Sequence, residues 1–250
     1  MKRIALVLLL VAALAPSAMA GPVGQVQVGY AGSPYGPYQT GQGGEFTLNA
    51  LSPSGLDMSG YAADVTGGIA GLAGAFQTFC IEGNEYIAGY DTIYNASLDT
   101  YAEAGGQTGA TAGRDPVSVG TGWLYSQFAQ GTLDTLGYSY AGGTPEQIAA
   151  RRVSAGLLQN ALWWLEGEMG LGYDFNNIYM KAVVDFFGSQ AAAKADGAAT
   201  YGVYALNIWT ADGVRAQTQL FYSVPDGGTT LMLLGGALVG LGALRRKFGR

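Results

Sequence analysis

The run TPEQIAARRVSAGLLQNALWWLEG, Thr144 to Gly167, carries the punctuation of one long helix. Thr144 is an N-cap, Pro145 fits the first turn, and Gln147 stands at N3, where its side chain closes a capping box with Thr144. Gly167 marks the end. Upstream, Trp123, Leu124 and Phe128 predict a shorter helix ending near Gly131, and downstream Ile178 to Phe187 predicts a third, so Ser118 to about Ala193 reads as a helical stretch.

On both sides of this stretch the pattern changes to short alternating pieces. Gly21 to about Gly71 is rich in Gly, Ser, Pro and Tyr, with strand-like segments at Gln25 to Val28 and Glu45 to Leu48. Further strands are predicted at Ala75 to Glu82, Tyr86 to Ala88, Tyr90 to Ser97, Val203 to Thr210 and Arg215 to Tyr222. The expected fold is mainly β (α+β), a barrel or sandwich over residues 21–222 with a helical insertion at about 118–193, and no internal repeat is evident.

The two ends read as targeting segments. Lys2 and Arg3, the apolar run Ile4 to Leu14, and Ala18-Met19-Ala20 have the layout of a signal peptide over residues 1–20, with signal peptidase leaving Gly21 first. At the other end, the turn-rich Ser223-Val224-Pro225-Asp226-Gly227-Gly228 precedes an apolar run, Thr229 to Leu244, and a basic stop, Arg245-Arg246-Lys247. As a transmembrane helix that run would span roughly 24 Å, somewhat less than the ~30 Å hydrocarbon core, with the basic end at the cytoplasmic face. The simple reading is a short anchor. The motif, helix and basic end together (residues 223–250) also resemble the VPDSG and PEP-CTERM sorting tails, and that resemblance implies an exosortase-type transpeptidase as partner and delivery to the cell envelope, either membrane-anchored or released after tail processing.

Charge and composition exclude several functions. Residues 21–224 hold 6 basic against 17 acidic side chains, a net of −11. Such a surface repels phosphate backbones, and nucleic acid is not an expected partner. The chain has no His and a single Cys, Cys80, which removes Ser-His-Asp and Cys-His catalysis, the usual zinc sites and any internal disulfide. Neither a metal set nor a cofactor motif is legible.

Two segments carry distinctive chemistry: Phe79-Cys80-Ile81-Glu82 at the end of a predicted strand, and Leu158-Gln159-Asn160-Ala161-Leu162-Trp163 within the long helix. A thiol held against a Gln carboxamide in a dry pocket can expel ammonia and form a thioester, an activated acyl group open to attack by an amine. Helix geometry leans Gln159 over Ala155 and Gly156, small enough to admit the strand bearing Cys80, with Trp163 covering the next turn. Aromatic-Cys-apolar followed by apolar-Gln-x-x-apolar-Trp is similar to the paired motifs of bacterial surface thioester domains. The resemblance implies a Cys80–Gln159 thioester, Trp163 as packing aromatic, a β-barrel or sandwich over about residues 76–222, and an adhesive, covalently binding surface protein rather than a turnover enzyme.

The plainer alternatives follow from the same residues. Free Cys is usually a small buried hydrophobe, and a helix Gln is usually just satisfied, which would leave a structural or extracellular-matrix surface protein. A disulfide-linked dimer through Cys80 is a further alternative. Glu82 and Glu166 are the acids nearest the two motifs; Glu166, seven residues after Gln159, could shuttle protons there or serve as a helix-end acid. As a glycosidase pair they lack any supporting spacing. Lys181 and Lys194 are the only lysines of the exported part, and the Gly-Tyr pieces read as loop and strand-edge filling before they read as saccharide contacts.

Overall fold

A computed structural model describes residues 21–29, 33–66, 74–107 and 110–224. The expected signal peptide at 1–20 and the expected transmembrane helix at 229–244 lie outside the described residues, and among those described no helix is long and apolar enough to cross a membrane.

Alternation builds the sheet. In chain order the strands are β1 (Gly21–Val28), β2 (Gln39–Thr40), β3 (Gly43–Gly44), β4 (Phe46–Leu51), β5 (Ala75–Thr78), β6 (Thr92–Asp99), β7 (Tyr101–Glu103), β8 (Arg114–Pro116), β9 (Val203–Trp209) and β10 (Arg215–Tyr222). In β6, Tyr94, Ala96 and Leu98 are buried while Ile93 and Asn95 face solvent, the period of two expected of a half-covered strand. Six strands form one antiparallel sheet in the order β10-β9-β6-β1-β4-β5, and two short ribbons, β2-β3 and β7-β8, stand apart from it.

The sheet curls until its two edges meet. β4 begins at Phe46, opposite Thr78, so beyond Thr78 the chain has no partner on that side. It crosses instead to β10: Ile81 N–H donates to Thr218 O at 3.1 Å, Leu220 N–H donates to Phe79 O at 3.0 Å, and Cys80 pairs with Gln219. A one-residue register shift between Ala216 and Gln219 bends β10 at this seam. The single strand expected at Ala75 to Glu82 is therefore a four-residue strand followed by a crossing segment. Tyr86 to Ala88 is not a strand; Tyr90 and Asp91 take positive φ (54° and 65°) and turn the chain into β6.

The helices are α1 (Ala63–Thr66), α2 (Val119–Ala129), α3 (Pro145–Glu166), α4 (Ile178–Phe187) and α5 (Gln190–Ala193), the last four lying between β8 and β9 in the chain. The capping box of α3 forms as the sequence predicts, and Gly167 ends the helix at φ 78°. One buried ion pair ties α3 to the sheet: the Arg151 guanidinium donates from Nε and Nη2 to the two Glu45 oxygens, each at 2.7 Å. The Tyr38 ring lies under the same guanidinium, 3.9 Å from its centroid. Phe79, Tyr125, Phe128, Leu158, Leu162 and Phe221 are among the fully buried residues of the core between sheet and helices.

Candidate functional site

Phe79 and Cys80, successive residues of the seam, engage different helices. The Phe79 ring packs edge-on against Phe128 of α2, with centroids 4.9 Å apart. Cys80 meets Gln159 of α3. The thiol lies 3.4 Å from Gln159 Oε1, to which it donates, and Gln159 Nε2 donates to the Cys80 carbonyl at 2.7 Å. Cys80 is 0% and Gln159 1% exposed, so the pair is dry.

Burial pushes the Cys80 thiol well above the ordinary thiol range, and Glu82 and Glu168 add to this by charge. The Trp163 indole N–H opposes the shift, although it makes no hydrogen bond of normal geometry. Gln219, paired across the seam with Cys80, is fully buried, and its Oε1 has no hydrogen-bond partner among the described residues. Facing strand partners project to the same side of a sheet, so the Gln219 side chain leaves the seam on the same side as Cys80.

What covers Gln159 differs from the expectation. Gly156 does not admit the strand bearing Cys80: a Cβ there would lie 2.9 Å from Thr40 Cγ2, so the small residue makes room for β2. The partner strand of that ribbon, β3, lies over the amide itself. A Cβ on Gly43 would sit 2.5 Å from Gln159 Cγ and 2.9 Å from the Trp163 ring, so only glycine permits this approach. Nothing in the sequence periodicity marks Gly43, because its partners are more than a hundred residues away.

The two acids singled out from the sequence go elsewhere. Glu166 turns to the start of α2, accepting from Ser118 Oγ at 2.8 Å, from Ser118 N–H at 3.3 Å and from the Thr121 hydroxyl in a short bond. These contacts set the carboxylate at the positive end of α2. Burial raises its carboxyl to about 7. Glu82 lies beside Asp115 and Glu168, residues that the sequence reading passed over. Burial, then the Glu168 charge, raises Glu82 to about 9, and the same two causes raise Asp115 to about 6. Gly167 turns the chain so that Glu168, directly after α3, faces inward and accepts from the backbone N–H groups of Gly83 and Gln107 at 2.8 and 2.6 Å.

The arrangement thus sets a thiol against a carboxamide under a glycine-lined ribbon, at the end of a chain segment leading into residue 224. Residues 223–248 match the VPDSG-CTERM motif. The match covers Val224, Pro225, Asp226, Gly227 and Gly228, the apolar run and the basic residues Arg245, Arg246 and Lys247. A tail of this type points to a sorting or processing system and is consistent with an exported cell-envelope protein. No curated protein and no solved structure matches the chain.

Proposed function

We propose that this is an exported surface protein that captures an amine-bearing partner through a thioester between Cys80 and Gln159, after an exosortase-type transpeptidase reads its tail. The observation that carries the reading is the contact of the Cys80 thiol with the Gln159 amide, 3.4 Å apart and sealed from water. Proximity of this kind replaces a bimolecular encounter with an intramolecular one.

In the first step the Cys80 sulfur attacks Gln159 Cδ, the C–N bond breaks, and the thiol proton leaves with the NH2 group as ammonia. Both reactants and both products are neutral, so a thiol held un-ionised by burial is compatible with the overall change. In the second step a free amine attacks the thioester carbonyl, the C–S bond breaks, one amine proton returns to sulfur, and an amide links the partner to Gln159. The site is spent after one event, so the reading is of covalent binding and not turnover. The β2-β3 ribbon would have to shift to admit the amine.

A second reading keeps a specific observation in its favour: Gln159 already satisfies both ends of its amide within the fold, as a purely structural residue would. Intact mass of the exported protein separates the two. Capture chemistry predicts a deficit of one ammonia, absent in Cys80→Ala and in Gln159→Ala, and gain of methylamine with release of a titratable thiol on incubation with that amine. A full-mass protein with a free thiol would instead leave a surface-matrix protein with a buried Cys80.

A further inference from the structure

Three carboxylates that the capture chemistry does not use meet in one buried gap. Glu82 follows the seam, Asp115 sits in β8 and Glu168 follows α3, so distant parts of the chain converge. Their oxygens lie within 4.8 Å of one another, and the three residues are 2%, 8% and 0% exposed. Like charges at such separations repel, and burial removes the water that would screen them.

Glu82 supplies the observation that asks for a ligand. Its Oε2 is buried and has no hydrogen-bond partner among the described residues. That orphan oxygen faces the same space as Glu168 Oε2: a Cβ added to Gly106 would fall 2.1 Å from the first and 2.3 Å from the second. The fold thus brings two carboxylate oxygens to one point and leaves out the side chain that would fill it. Buried polar atoms are ordinarily satisfied, and two carboxylate oxygens facing one point are satisfied either by a proton held between them or by a cation that replaces it.

We infer that Glu82, Asp115 and Glu168 bind a divalent cation, and the geometry points to calcium. The donors are oxygens without nitrogen or sulfur, which selects a hard cation. All three oxygens lie within 4.8 Å of one another, which calcium–oxygen distances of about 2.3–2.6 Å accommodate; calcium takes irregular sets of several carboxylates, whereas magnesium demands near-ideal octahedral geometry and is usually held by one or two. Water and backbone carbonyls would complete the shell. The ion would fasten β8, the end of α3 and the segment after the seam to one another. The inference stands apart from the thioester reading, since none of these residues touches the reacting atoms.

The test strips the purified protein with EGTA and titrates it with calcium chloride in a calorimeter, then repeats thermal melts with and without calcium. The expected result is saturable binding with a Kd on the order of 10⁻⁵–10⁻³ M. Calcium at about a hundred times Kd should raise Tm by roughly 5–10 °C. Glu82→Gln and Asp115→Asn should each weaken binding by about tenfold or more and lose the rise in Tm. Should either variant fail to fold, terbium luminescence of the wild-type protein decides, with calcium displacing the lanthanide and equal magnesium failing to do so. Absence of binding heat and of any change in Tm at millimolar calcium overturns the site, as do an undiminished response in folded variants or terbium that calcium does not displace. Equal displacement by magnesium overturns the assignment to calcium.

Discussion

At the scale of single residues, the Cys80–Gln159 pair is distinguished by what surrounds it. Cys80 and Gln159 are visible in the sequence as motif positions, and the structure sets them in hydrogen-bond contact. The residues that make the contact dry are not visible there. Gly43 is one glycine among 41, and its importance comes only from the approach of β3 to Gln159 and Trp163. Gly43→Ala would force a methyl into that space, and we expect a loss of about 1–3 kcal/mol in urea denaturation, the usual cost of overpacking a tight site. Unchanged stability would mean that the ribbon does not press on the amide. Gln219 was equally hidden, since its role depends on which strand faces Cys80 across the seam.

At the scale of elements, α3 is the lever that holds Gln159 in place. Its limits were legible because capping is local chemistry: Thr144, Pro145 and Gln147 act within one turn, and Gly167 supplies the left-handed exit. Its attachment was not. Arg151, two turns before Gln159, reads in the sequence as one of two adjacent arginines, yet it is 1% exposed and paired with Glu45, while Arg152 reaches the Pro37 carbonyl at the surface. Removing one partner strands the other charge in the core. Arg151→Met should therefore destabilise the fold by about 3–5 kcal/mol in chemical denaturation, and Arg151→Met combined with Glu45→Leu should recover part of that loss. A single variant as stable as wild type would show that the pair does not anchor the helix.

At the scale of the whole molecule, acidity is the dominant property, and burial sorts the acids into different roles. Glu166 has a folded pKa of about 7 against an ordinary value of 4.5, so its protonated form is favoured by folding. Its contribution is complete below about pH 4.5 and is lost as pH rises through 7, up to about 3 kcal/mol. Asp115 pushes its pKa up by charge, Ser118 and Thr121 pull it down by hydrogen bonding, and Lys194 feels its charge in return. Glu166→Gln should flatten the decline in Tm between pH 4.5 and 7 when melts are run in chelator. A profile that keeps the wild-type slope would place the titrating group elsewhere.

The sequence by itself determined the tail motif and the broad make-up of the chain: the VPDSG-CTERM match at 223–248, a mainly β frame and helices between its strands. These are written in local order, as apolar runs, alternation and caps, and local order survives without tertiary context. The curl of the sheet, the seam that pairs Cys80 with Gln219, the ribbon over Gln159 and the meeting of Glu82, Asp115 and Glu168 were decided by the tertiary structure alone. Each joins residues far apart in the chain, and their encounter is set by how strands twist and where a helix docks, which no window of neighbouring residues encodes.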